Sequence, residues 1–219
     1  MTTVVITGGP DIDLETIASV CEGADRVICA DSGAEKALIA GIRIDKVVGD
    51  LDSLSDEAKT ALKDRDIKTD IYPVEKDMTD TEIAISEIPK DHEIRLISSL
   101  SGRQDHLMTN IFLAVKLRSE GRDISVTDGV TDLIPMSGED SIVLDGIMNP
   151  EGLTVSLVPL DFSTPVKGVT TNGLYYELSG QDLYAGSSYS ISNKLKEGET
   201  SFGISIKSGN MAVIITPTR

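Results

Sequence analysis

From Val4 to Thr127, short β-branched runs alternate with stretches whose apolar residues recur at helical spacing. That alternation predicts an α/β fold: a Rossmann-like, mostly parallel sheet with helices on both faces, because parallel neighbours need a crossover long enough to hold a helix. The strand-like runs are Val4-Val5-Ile6-Thr7 and residues 26–30, 46–49, 94–97 and 124–127. Ile71-Tyr72-Pro73-Val74 is extended too, but its proline lacks a ladder donor and sends it to an edge or a connection. Between the runs, Leu14, Ile17, Ala18 and Cys21 share one helical face, and residues 34–40 close on Gly41. Residues 55–63 and 79–88 form further helices. The longest, 105–120, places Leu107, Ile111, Ala114 and Val115 at i, i+4, i+7 and i+8.

Past about residue 138 the period falls to two. Residues 141–144, 153–157, 168–178, 187–192, 202–207 and 211–216 read as strands punctuated by glycine and asparagine turns. Ser208-Gly209-Asn210, lying between two alternating runs, predicts a hairpin. The organisation expected is therefore an α/β domain over residues 1–138 and an all-β domain, sandwich- or barrel-like, over residues 139–219.

Composition removes several classes of function. A net charge of −16 opposes nonspecific nucleic-acid binding, which needs Lys and Arg to displace counter-ions. An anionic substrate would need cations to screen the same repulsion, whereas a cationic one would not. No run approaches the roughly 18 apolar residues that cross a membrane, and Met1-Thr2-Thr3 leads straight into a strand, so the cytoplasm is the expected location. Cys21 and Cys29, both in apolar surroundings, read as buried reduced thiols. With only His92 and His106 available, a zinc site is not expected.

Chemistry concentrates in acidic turns. Val47-Val48-Gly49-Asp50-Leu51-Asp52-Ser53 reads as a buried strand running into a turn with two carboxylates one residue apart. In open α/β sheets ligands sit beyond the carboxyl ends of the strands. Asp31, the Asp77/Asp80 pair and Asp105 fall at similar ends or at the helix starts after them. Each has an ordinary structural use: Asp31-Ser32-Gly33 as a turn, Asp52, Ser53 or Ser55 as a cap, Thr79 with Glu82 as a capping box, Asp105 as a complement to the helix dipole. Together they suggest a site for Mg²⁺, a hard cation that bridges carboxylates to phosphates. Arg103 and Lys76 could meet a phosphate, and Ser101-Gly102-Arg103 could offer it backbone N–H groups. No Walker-type loop and no G-x-G-x-x-G occurs.

These motifs resemble, in order, those of the thiamine pyrophosphokinase (thiamine diphosphokinase) family: ADSGA at Ala30–Ala34, GDLDS at Gly49–Ser53, DMTD at Asp77–Asp80, SGRQDH at Ser101–His106, then TTNGLYYEL at Thr170–Leu178 and ISN at Ile191–Asn193. The resemblance covers nearly the whole chain. It implies transfer of a diphosphoryl group from ATP to the hydroxyl of thiamine, releasing AMP. By position it implies Mg²⁺ on Asp50, Asp52 and Asp80, with Asp105 completing the catalytic set, and ATP contacts from Asp31, Lys76, Arg103, His106 and Asn110. It implies thiamine contacts from Asp77, Asp80, Ser192 and Asn193, and a homodimer with the thiamine site at its interface. The chain departs from the family at Ser98 and Ser101, where glycine is usual, and at Lys194, where an acidic residue is common. Without tryptophan, stacking on thiamine would fall to Tyr175, Tyr184 or Tyr189, for which sheet packing is the simpler expectation. Two other readings share these features: a sister pyrophosphokinase acting on a pterin alcohol, and a non-catalytic nucleotide- or thiamine-binding protein.

Overall fold

The computed structural model describes residues 1–9 and 12–218. Two compact units emerge, residues 1–110 with 122–129, and residues 111–121 with 130–219. Pro10 of the first strand's closing turn lies outside the described residues.

The first unit runs β1 (Thr2–Ile6), α1 (Leu14–Cys21), β2 (Arg26–Ala30), α2 (Gly33–Ile39), β3 (Lys46–Gly49), α3 (Asp56–Asp64), β4 (Lys68–Ile71), α4 (Asp80–Ser86), β5 (Glu93–Ile97), the first half of α5 (Gln104–Ser119) and β6 (Ile124–Thr127). Its strands are all parallel, in the order β4-β3-β2-β1-β5-β6. Strand periodicity divides the side chains. Val4, Ile6, Val27, Cys29 and Val47 bury in one cluster with residues of α1, α2 and α3, among them Ile17, Ala34, Ala37, Ala58 and Leu62. Val5, Ile28 and Val48 alternate with them and are equally buried, and α4 packs on β1, β2 and β3. The proline-bearing segment behaves as its chemistry requires: β4 is an edge strand and ends at Ile71, before Pro73.

Cys29 is buried as expected, but Cys21, at the carboxyl end of α1, is only partly so. Burial pushes both thiols up, Cys21 to about 11, so neither is an active nucleophile at neutral pH.

The second unit opens with the other half of α5 and continues as β7 (Asp132–Ser137), β8 (Asp140–Leu144), β9 (Leu153–Pro159), β10 (Val166–Asn172), β11 (Ser179–Leu183), β12 (Phe202–Ile206) and β13 (Asn210–Pro217). Two antiparallel arrays form, β7-β13-β9 and β11-β10-β12-β8. Met136, Val155, Leu157, Met211 and Val213 of the first share a core with Val166, Val169, Phe202, Ile204 and Ile206 of the second. That is the arrangement of a sandwich.

Three sequence expectations fail here. β12 and β13 do not form a hairpin: β12 pairs with β10 and β8, and β13 with β7 and β9. The turn between them carries the chain from one array to the other. Gly209 (φ +106°) permits this, since a Cβ there would lie 2.7 Å from Val166 Cα. Residues 187–192 form no strand either. Their serines compete for the backbone, as when Ser187 Oγ accepts from Tyr189 N at 3.2 Å, and Ser192 is left-handed (φ +60°). Likewise β10 stops at Asn172, because Gly173 (φ +79°) turns the chain against the Ser201 carbonyl.

Within this unit Arg118 donates from Nε and Nη2 to both oxygens of Asp140, each at 2.8 Å. Burial alone would raise the Asp140 carboxyl, but Arg118 and the N–H groups of Ser137 and Ser141 outweigh it and hold it below the usual range. A depressed carboxyl stabilises the fold above its unfolded pKa, and that stability is lost as pH falls through the folded value. Asp140→Asn is therefore expected to lower unfolding stability at pH 7 by about 1–2 kcal/mol, the margin of charge-assisted over neutral hydrogen bonds. Urea titrations repeated at falling pH should show the gap closing below about pH 4, where wild type carries a neutral carboxyl too.

Candidate active site

Strand order fixes where a ligand can enter. From β1 the sheet grows one way through β2, β3 and β4, and the other way through β5 and β6, so the order reverses between β1 and β5. The loops leaving such neighbours diverge and open a crevice. A cavity of about 790 Å³ lies there, within the range of small-molecule sites, and every lining residue comes from the first unit. Thr7, Gly8 and Gly9 after β1 and Ser98, Ser99 and Ser101 after β5 line it, with Asp31, Asp50, Lys76, Asp77, Asp80, Arg103, His106 and Asn110.

The acidic wall is built by strand ends. Asp31 follows β2 with left-handed backbone (φ +48°) and donates its N–H to the Val48 carbonyl of β3 at 2.9 Å. The structure adopts that unusual conformation for a residue it holds from two sides. Ser53 Oγ donates to Asp31 Oδ2 at 2.6 Å, while Asp31 Oδ1 is buried with no hydrogen-bond partner. Asp50 follows β3, and its Oδ1 accepts the Asp52 N–H at 3.1 Å around the left-handed Leu51 (φ +61°). Leu51 itself packs against the core, which anchors the turn. The cap of α3 is Ser55, whose Oγ accepts the Ala58 N–H at 3.2 Å, so Asp52 is not used as a cap.

Carboxylate oxygens of Asp31, Asp50 and Asp52 consequently lie within 4.8 Å of one another. Their charges are felt. The Asp52 carboxyl is raised, because the Asp50 carboxylate faces it, while Asp50 is lowered by the backbone N–H it accepts from Asp52. Asp80 opens α4, behind the Thr79 cap, and burial raises its carboxyl despite Lys76 beside it. An all-oxygen donor set, crowded negative charge and an orphaned buried oxygen at Asp31 fit a hard divalent cation.

Cationic and neutral groups complete the walls. Lys76 Nζ approaches Asp80 at 3.3 Å and Asp50 at 3.9 Å. Arg103 makes a two-pronged, exposed ion pair with Asp105, at 2.6 and 3.2 Å, which holds the Asp105 carboxyl down at about 2. Buried Asn110, on the first turns of α5, donates to Ser98 Oγ at 2.9 Å. Ser98 thus holds an amide on the cavity wall. Asp52 and Asp105 adjoin the lining residues without being among them.

Ser192 and Asn193 belong to the second unit. The Ser192 N–H donates to Ser156 Oγ at 3.0 Å. The Asn193 amide clamps the loop beside it, donating to the Tyr176 carbonyl at 2.9 Å and accepting its N–H at 3.1 Å. The tyrosines do not pack into the sheets as expected. Tyr175, Tyr176, Tyr184 and Tyr189 are each more than half exposed, Tyr175 meeting Tyr176 edge to face at 4.9 Å under the Lys194 ammonium.

Sequence reading did not place Thr7, Gly8, Gly9, Ser99 or Thr109 at the site, and it named Ser53 only as a possible cap and Ser98 only as a departure from the family. Gly8-Gly9 directly after the first strand was a usable signal, since a glycine pair at a first β–α turn allows close backbone approach to a ligand. The serines carry no such mark.

Comparison with known proteins covers both units. The family model described as thiamin pyrophosphokinase, catalytic domain, matches residues 17–126, and that for the thiamin pyrophosphokinase, vitamin B1 binding domain, matches residues 133–211. A curated relative, the thiamine pyrophosphokinase of Bacillus subtilis (strain 168), is 27% identical over 203 residues, covering 90% of this chain and 91% of that protein. A crystal structure of thiamin pyrophosphokinase from Geobacillus thermodenitrificans is 28% identical with a TM-score of 0.79, covering 100% of this chain and 98% of that one. One from Bacillus subtilis has a TM-score of 0.84 over 100% of both chains at 22% identity, a likeness of fold.

Proposed function

The chain belongs to the thiamin pyrophosphokinase family, and from that premise we propose how its residues divide the work of moving a diphosphoryl group from ATP to the hydroxyl of thiamine. The hydroxyl oxygen attacks the β-phosphorus, its proton passing to a carboxylate of the crevice or to water, while the bond from that phosphorus to the α–β bridging oxygen breaks and thiamine diphosphate and AMP leave. Residues 1–138 take ATP, the metal and the aminopyrimidine end of thiamine, and residues 139–219 supply the remaining thiamine contacts.

One observation carries the assignment: Asp31, Asp50 and Asp52 bring carboxylate oxygens within 4.8 Å at the wall of the crevice. In our reading Asp50, Asp52 and Asp80 hold Mg²⁺, with a carboxylate oxygen of Asp31 within 4.8 Å of those of Asp50 and Asp52. Bound there, the ion would offset the phosphate charge that otherwise repels both the acidic wall and the incoming oxygen. Arg103 would leave its exposed pair with Asp105, an interaction of small net strength, and present its fork to a phosphate. Asp105 then faces the reacting groups and completes the catalytic carboxylates with Asp50, Asp52 and Asp80. Lys76, His106 and Asn110 complete the ATP contacts, Asn110 held in place by Ser98.

Thiamine carries a permanent thiazolium charge, which suits a negative crevice. We assign its aminopyrimidine to Asp77 or Asp80 and its further contacts to Ser192 and Asn193. A homodimer with this site at the interface is supported by the tyrosines and Ile191 that a single chain leaves exposed. The free thiols of Cys21 and Cys29 are consistent with a reducing cytoplasm. Among the described residues no helix is long and apolar enough to cross a membrane.

The reading is tested by supplying ATP and Mg²⁺ with thiamine or with a hydroxymethylpterin. AMP is expected with thiamine only. AMP with the pterin alone would favour the sister enzyme, and none with either would leave a binding protein.

A further inference from the structure

Lys76 places an ammonium between two carboxylates of the site. Lys76 Nζ lies 3.3 Å from Asp80 Oδ1 and 3.9 Å from Asp50 Oδ2, and it donates to the Pro73 carbonyl at 3.0 Å. Its side chain is only 14% exposed, and the carboxylates it faces are covered to a similar degree. The two partners come from different places, Asp50 from the end of β3 and Asp80 from the start of α4, so the ammonium spans the same gap that a divalent ion shared by them would span. Two cations between one pair of carboxylates repel strongly in so sheltered a space. Lysine is a point charge on a flexible stem, able to turn from carboxylates to a phosphate without breaking a fixed fork.

We propose that Lys76 is a resident counter-ion of the Asp50–Asp80 pair, drawn off by the phosphates of the nucleotide, so that the divalent ion enters with the nucleotide and not ahead of it. This rests on the metal reading above and adds an order of binding to it. Nucleotide and metal are then coupled through one side chain, and the coupling acts in both directions.

Mn²⁺ titrated into the whole chain, with free ion followed by electron paramagnetic resonance, reads the exchange directly. Wild type is expected to bind Mn²⁺ weakly alone and more tightly with a non-hydrolysable ATP analogue, beyond what the analogue binds by itself. Lys76→Gln should bind Mn²⁺ about tenfold more tightly than wild type in the absence of nucleotide, an ordinary size for such coupling. Lys76→Arg, which keeps the charge, should bind it as weakly as wild type. Lys76→Met repeats the comparison with a different neutral side chain, and thermal melts establish that each variant is folded. If the neutral variants bind Mn²⁺ no more tightly than wild type while the analogue still promotes binding, the counter-ion role is wrong and the metal site stands. If no form binds Mn²⁺ with or without the analogue, both readings fall.

Discussion

Asp52→Asn is expected to lower kcat/KM with thiamine by about 10²–10³-fold, the order of loss when one preorganised electrostatic group of an active site is removed, while the protein stays folded. Two features make the separation clean. Asp52 is exposed and caps no helix, so its carboxylate does nothing for the core. It also stands against Asp50, whose carboxylate raises it. A raised carboxyl favours the folded state most below its unfolded pKa, and that advantage is lost as pH rises through the folded value. At pH 7, without divalent ions, the asparagine variant should therefore melt no lower than wild type. Added Mg²⁺ and ATP should then stabilise wild type more than the variant. Turnover within a few-fold of wild type by a folded Asp52→Asn protein would remove Asp52 from the metal set.

The second large effect is structural. Gly33 begins α2, and by helix propensity alone an alanine there should stabilise by up to about 1 kcal/mol. Instead we expect Gly33→Ala to destabilise by about 2–3 kcal/mol, lowering the melting temperature by about 5–10 °C. A Cβ at this position would lie 2.2 Å from the Ile6 carbonyl oxygen and 2.7 Å from its carbon. Those are backbone atoms of β1 and cannot rotate aside. Relief would push α2 away from β1 and carry Asp31 and Ser32 with it, so activity should fall in the same variant. Gly203→Ala is the control: it lies in β12, where a Cβ meets nothing nearer than 3.8 Å, and it should be neutral. Equal melting of wild type and Gly33→Ala would mean that α2 and β1 do not approach as described.

Gly33 also shows how local signals can mislead. ADSGA reads as a turn and a helix start, which it is, but nothing local says that the glycine is required by a strand far away in the chain. Ser208-Gly209-Asn210 is a second case. Its composition is that of a hairpin, and its glycine is indeed conformationally special, yet the strands on either side pair with different partners. The alternation in residues 187–192 promised a strand, and serine hydroxyls took the backbone instead. Where sequence reading worked, the determinant was short-ranged: β-branched runs, the proline that ends β4, the Ser55 cap that was one of three candidates.

Residue order alone thus set the alternation of strands and helices up to Thr127, the change to strands beyond it and the acidic turns, because periodicity and turn chemistry act over a few neighbouring residues. It did not give β7 or β11. Tertiary structure alone decided that the sheet reverses between β1 and β5, that Gly8-Gly9 and Ser98-Ser99 share a wall with Asp31 and Asp50, and that Lys76 lies against the carboxylates. Those are matters of which strand lies beside which. Such pairing is settled by burial summed over the whole core, which no short stretch of sequence carries.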